Sequence, residues 1–115
     1  MSNADWGRLC GLSEQELFVE LGEQLSSGVG RRDPKYLATV ARVWFEDRME
    51  RFRHLVCGSE AVRLAQQSGD EATLLSAVAD LIAPIAGILP AATVAVLLAR
   101  YGIDRLCGVA DGPTM

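Results

Sequence analysis

The chain is short of several residue types whose presence would name a chemistry. Aromatic residues make up only 6% of it, and there is one histidine, one lysine and three cysteines. Scarce aromatics beside frequent Ala and Leu favour helix over sheet, because Ala and Leu lose little side-chain freedom in a helix. Three cysteines, Cys10, Cys57 and Cys107, cannot all pair within one chain, so a disulfide framework is not expected and a reducing cytoplasm is the simplest setting. The first ten residues, "MSNADWGRLC", lack a basic segment followed by an apolar one, so no signal peptide is expected. There is no Lys/Arg-rich run, no Gly-rich aromatic motif and no zinc-finger spacing, and the net charge is −4. An acidic chain of this kind is a poor general binder of nucleic acid, since affinity for phosphates grows with the number of charges neutralised. The near absence of lysine, against ten arginines, points to a GC-rich bacterial genome.

What is present fits one small helical domain. A length of 115 residues accommodates a single core, and 50% hydrophobic with 23% charged residues excludes a disordered chain. We expect residues 13–107 to form the domain, preceded by a partly ordered segment 1–12 and followed by a flexible tail 108–115. Charge is unevenly spread: residues 31–63 hold eight basic against five acidic side chains, while both flanks are acidic.

Helix signals recur along the chain. In "LSEQEL", Ser13 and Glu16 have the spacing of a capping box, with Leu12 and Leu17 at the staple positions. The helix that starts there is expected to stop in "SSGVG", at Gly28. Asp33 and Pro34 then sit as cap and first residue of a long amphipathic helix over about 34–57. Leu37, Val40, Ala41, Trp44, Phe45, Phe52 and Leu55 share its apolar face, with Arg42, Glu46, Glu50 and Arg53 opposite. Ser59 and Asp70 are further caps, opening a short helix from Glu60 and an apolar one over about 71–86 that contains Pro84. Pro90 and Gly102 bracket a helix over about 91–101, and "IDRLC" adds a last turn. The expectation is an all-α bundle of about five helices, built from the long helix 34–57 and an apolar hairpin of 71–86 with 91–101.

The hairpin poses the functional question. Leu81 to Ala99 contains no charged residue and is just long enough to cross a bilayer. Its two prolines, together with Gly87, fit a break between two buried helices better than one continuous span. Two helices apolar on most sides call for more cover than one amphipathic helix supplies, and a large exposed apolar patch is rare on a monomer. The favoured function is therefore a non-enzymatic adaptor or accessory subunit that self-associates or binds another protein. It would use the hairpin or, if the hairpin is internal, the Trp44, Phe45 and Phe52 face. The alternative is a membrane-associated or membrane-disrupting protein that inserts residues 81–99.

Candidate chemistry is sparse. His54 lies one helical turn before Cys57, so an imidazole and a thiol can share a face, and with Cys10 and Cys107 they add up to four zinc-type ligands. No second short chelating pair accompanies them, and neither a catalytic site, a metal nor a cofactor is assigned. Asp47 with Arg51, and Glu50 with His54, have i,i+4 spacing for surface pairs. Arg48 falls inside the apolar arc and Asp80 stands alone on an apolar helix, so an internal pair between them is expected to fix the long helix on the hairpin.

Overall fold

Capping and apolar spacing give the chain eight helices among the described residues, which in this computed structural model are 6–25, 33–87 and 89–108. They are α1 (Trp6–Cys10), α2 (Glu14–Leu25), α3 (Pro34–Asp47), α4 (Met49–Cys57), α5 (Glu60–Ser68), α6 (Glu71–Ala86), α7 (Ala91–Tyr101) and α8 (Ile103–Cys107). The architecture is the expected all-α bundle with more, shorter pieces. The expected stop at Gly28, residue Ile88 and the tail from 109 onward lie outside the described residues.

The starts follow the side-chain chemistry read from the sequence. The backbone N–H of Glu16 donates to the Ser13 hydroxyl at 3.0 Å, and that of Ser13 to the Glu16 carboxylate at 2.8 Å, closing the reciprocal box. Ser59 accepts from the N–H of Val62, and Asp70 from that of Thr73. Asp33 holds the cap position of α3 with Pro34 after it, but its carboxylate makes no cap hydrogen bond. Gly69, at φ 77°, supplies the left-handed turn that ends α5.

The single long helix expected over 34–57 is instead two. Arg48 leaves helical geometry at φ −107°, ψ 7°, and its N–H reaches only as far back as the Phe45 carbonyl, at 3.2 Å. The break lets Trp44, Phe45 and Phe52 cluster across the joint, with Phe52 5.7 Å from Phe45 and 6.1 Å from Trp44 between ring centroids. It also removes the i,i+4 register between Asp47 and Arg51, which do not pair.

α7 is the centre of the bundle. Six consecutive residues, Thr93 to Leu98, are buried, and α1, α2, α6 and α8 all pack against the helix. A segment covered on every side needs no polar stripe, which accounts for the absence of charge in α7 ahead of the exposed Arg100. α6 differs: Leu75, Val78, Ile82 and Ala86 face inward, while Asp80, Ala83 and Pro84 are exposed. No single helix among the described residues is long and apolar enough to cross a membrane. α6 and α7 meet that criterion only together, and they are bent by 117° at their junction. α2 and α3 approach so closely that a Cβ on Gly22 would lie 2.2 Å from the Leu37 carbonyl oxygen, which is why that helix face carries a glycine.

Candidate interaction surface

The aromatic face proposed from the sequence is mostly core. Phe45 and Phe52 are 4% and 0% exposed, and only Trp44 is half-buried. Phe18 meets Phe45 edge to face at 5.6 Å, so these rings hold α2, α3 and α4 together and are not open to a partner.

Arg48 and Asp80 are not brought together. The Arg48 guanidinium lies 4.7 Å over the Trp44 ring, donates to the Trp44 carbonyl at 3.3 Å and stands 3.5 Å from the Asp47 carboxylate. Asp80 is exposed and forms no ion pair among the described residues. The correction has a simple cause: the break at Arg48 lets the side chain satisfy itself within one turn, on a ring and a carbonyl, while α6 turns Asp80 to solvent.

The thiol and imidazole pair is also dismantled. Cys57 is joined to Cys107 in a disulfide with Cα atoms 5.5 Å apart, because α8 lies against the end of α4. The sulfur of Cys57 is therefore neither a nucleophile nor a metal ligand in this form. The His54 side chain is 75% exposed, with Nε2 3.5 Å from a Glu50 carboxylate that Arg53 also contacts. Cys10, the free cysteine, lies on α1, where its carbonyl accepts from Arg100 at 2.8 Å. No group of three or more His, Cys, Asp or Glu side chains that could hold a metal occurs among the described residues. The odd cysteine count gives no hint of this bond; the spacing of two cysteines, each at a helix end, could have raised it.

The outer side of α3 faces away from the core. Leu37, Ala38, Ala41 and Phe45 are buried against α2 and the core. Tyr36 and Val43 point the other way, at 50% and 61% exposure, and Val40 is half-buried between them. At 100° per residue, Tyr36, Val40, Val43 and Asp47 fall within an arc of about 60°, a continuous strip on the side away from the core. Lys35 and Glu46 lie together on one flank, about 100° round the helix from the middle of that strip; both are exposed and neither forms an ion pair among the described residues. Trp44, carrying Arg48, borders the other flank. The sequence already shows Tyr36 and Val43, but their position opposite the core residues makes them easy to pass over as ordinary surface.

Beside the strip a concavity of about 310 Å³ is bounded by Glu14, Phe18, Arg42, Glu46, Met49 and Tyr101, among others. Arg42 spans it with its guanidinium 4.4 Å over the Phe18 ring. Two carboxylates, Glu14 and Glu46, line this space, with neither histidine nor cysteine among its described lining residues. The chain matches no protein-family model, and no curated protein or solved structure is similar to it.

Proposed function

We propose that this chain is a non-enzymatic helical interaction module, an adaptor or accessory subunit whose binding face is the outer strip of α3. One observation carries the reading. The large apolar side chains of α6 and α7 are spent on the molecule's own core, whereas Val43, 61% exposed, is not. Valine on the outer arc of a helix adds nothing to the core behind it and has lower helix propensity than Ala, Lys or Glu, so a use beyond folding is the economical explanation. The membrane reading is less favoured, because lipid entry of residues 81–99 would require α7 to abandon the four helices packed on it. A Cys/His enzyme or zinc protein is less favoured because Cys57 is held in the disulfide.

The expected cytoplasmic setting belongs to this reading only in a form with Cys57 and Cys107 reduced; the disulfide favours an oxidising compartment. Alkylation of the cellular protein under denaturing, non-reducing conditions decides it: one reactive thiol, Cys10, means the bond is present, and three mean it is not. Fractionation followed by size-exclusion chromatography with light scattering tests the module itself. A detergent-free soluble species supports it, and recovery in the membrane fraction alone overturns it.

A further inference from the structure

The charges on α3 run against the helix that carries them. An α-helix favours acidic groups in its first turn and basic groups in its last, yet α3 has Lys35 in the first turn and Glu46 and Asp47 in the last. None of the three offsets another within the helix, since Lys35 and Glu46 are about 16 Å apart along the axis. The arrangement becomes favourable if a second α3 lies alongside in the opposite direction. Each lysine then faces the acidic, carbonyl-rich end of the other helix.

We propose that the partner at this surface is a second copy of the same chain, with the two α3 helices antiparallel about a two-fold axis that passes near Ala41 and Arg42. The inference rests on the reading of the chain as an interaction module and names its occupant. In a two-fold pair the same patch serves both subunits, and in an antiparallel helix pair a flank meets the identical flank of its neighbour. With the axis at that point, Val40 packs on the partner's Val43 and Val43 on the partner's Val40, at the centre of the strip. Lys35 and the partner's Glu46 are on the facing flanks, offset by about 3 Å along the axis, within reach of a lysine side chain. Both ends of the strip are thus closed by the same charge pair, used twice. The contact is one helix wide, below a standard interface, so a reversible dimer with a micromolar dissociation constant is expected.

Sedimentation equilibrium of the intact chain up to about 100 μM, where a contact of this size populates a dimer, tests the proposal. The expected result is a monomer–dimer equilibrium that Val43→Lys weakens at least tenfold, while circular dichroism shows the same helix content. Lys35→Glu and Glu46→Lys should each weaken it about two- to fivefold, the range of an exposed charge pair, and together should restore it. Lys35 is the chain's one lysine, so carbodiimide should join it across the dimer to Glu46 or Asp47, a bond too long to form within one α3. A soluble species that stays monomeric to that concentration overturns the self-pairing and leaves the module reading with a foreign partner. A dimer indifferent to Val43→Lys overturns the assigned face. Recovery only with membranes overturns the module reading itself.

Discussion

Helices α7 and α3 are both rich in apolar residues, and they dispose of them in opposite ways. α7 buries six residues in succession and is contacted on all sides by its own chain. α3 buries Leu37, Ala38, Ala41 and Phe45 and turns a second apolar strip outward. The difference teaches that hydropathy alone is a poor guide here to which apolar residues lie at the surface. The most apolar stretch of the sequence is the most self-sufficient part of the molecule, and the surplus lies on a helix of ordinary composition.

Placing the same residue on both helices should separate them most sharply. Leu98→Lys sets a cation at a site with 0% exposure, and an unpaired buried charge costs more than about 5 kcal/mol, the scale of total domain stability. That variant should be unfolded at 25 °C by circular dichroism. Val43→Lys, measured in dilute solution where the chain is monomeric, should change stability by no more than about 0.5 kcal/mol in a urea titration. Comparable losses at the two sites would mean that the α3 strip is part of the core.

The cover on α7 includes α8, which is tied to α4 by the disulfide. Closing a loop over a sequence separation of 50 residues is worth about 4 kcal/mol on chain entropy. Cys57→Ser and Cys107→Ser should each lose about that much, and the double variant no more than either alone. An unchanged urea midpoint in both would show that the bond is absent from the folded protein in solution.

Gly22 probes the inner side of α3. Its α2 site has the Leu37 carbonyl oxygen 2.2 Å from where a Cβ would stand, so Gly22→Ala should force α2 and α3 apart and cost about 2 to 3 kcal/mol. Thr93 probes α7. It is 2% exposed, and its hydroxyl has no hydrogen-bond partner among the described residues. Replacing it by the similarly shaped valine should stabilise the fold by about 1 kcal/mol, read as a higher thermal midpoint.

Much of this architecture was legible because it is written in local chemistry. Ser13, Ser59 and Asp70 cap the helices assigned to them, and Gly102 ends the one before it. These contacts join residues within one turn, where spacing suffices. The break at Arg48 was not legible: neither proline nor glycine marks "EDRME", and the interruption comes from aromatic rings settling on α2 and across the joint. The disulfide was hidden for the same reason, since only the docking of α8 brings Cys107 beside Cys57. For the proposed binding face, the periodic apolar arc of residues 34–57 led inward to Phe45 and Phe52. Tyr36 and Val43 break that pattern, and the break is what distinguishes them.

The smallest expected effect concerns the two charges that the sequence most invited us to join. An internal pair of Arg48 with Asp80 would make the losses from Arg48→Ala and Asp80→Ala overlap, with a coupling of several tenths of a kcal/mol or more. Arg48 instead rests on Trp44 and its carbonyl, and Asp80 is exposed on α6. Arg48→Ala should therefore cost about 0.5 to 1 kcal/mol through lost stacking, while Asp80→Ala stays within about 0.5 kcal/mol of wild type. Their sum should equal the double variant within error in urea titrations. The test also bears on the contrast between the helices, because α3 is then joined to the core by its inner face alone. A measurable coupling would place Arg48 against α6 and move one border of the outer strip into the interior.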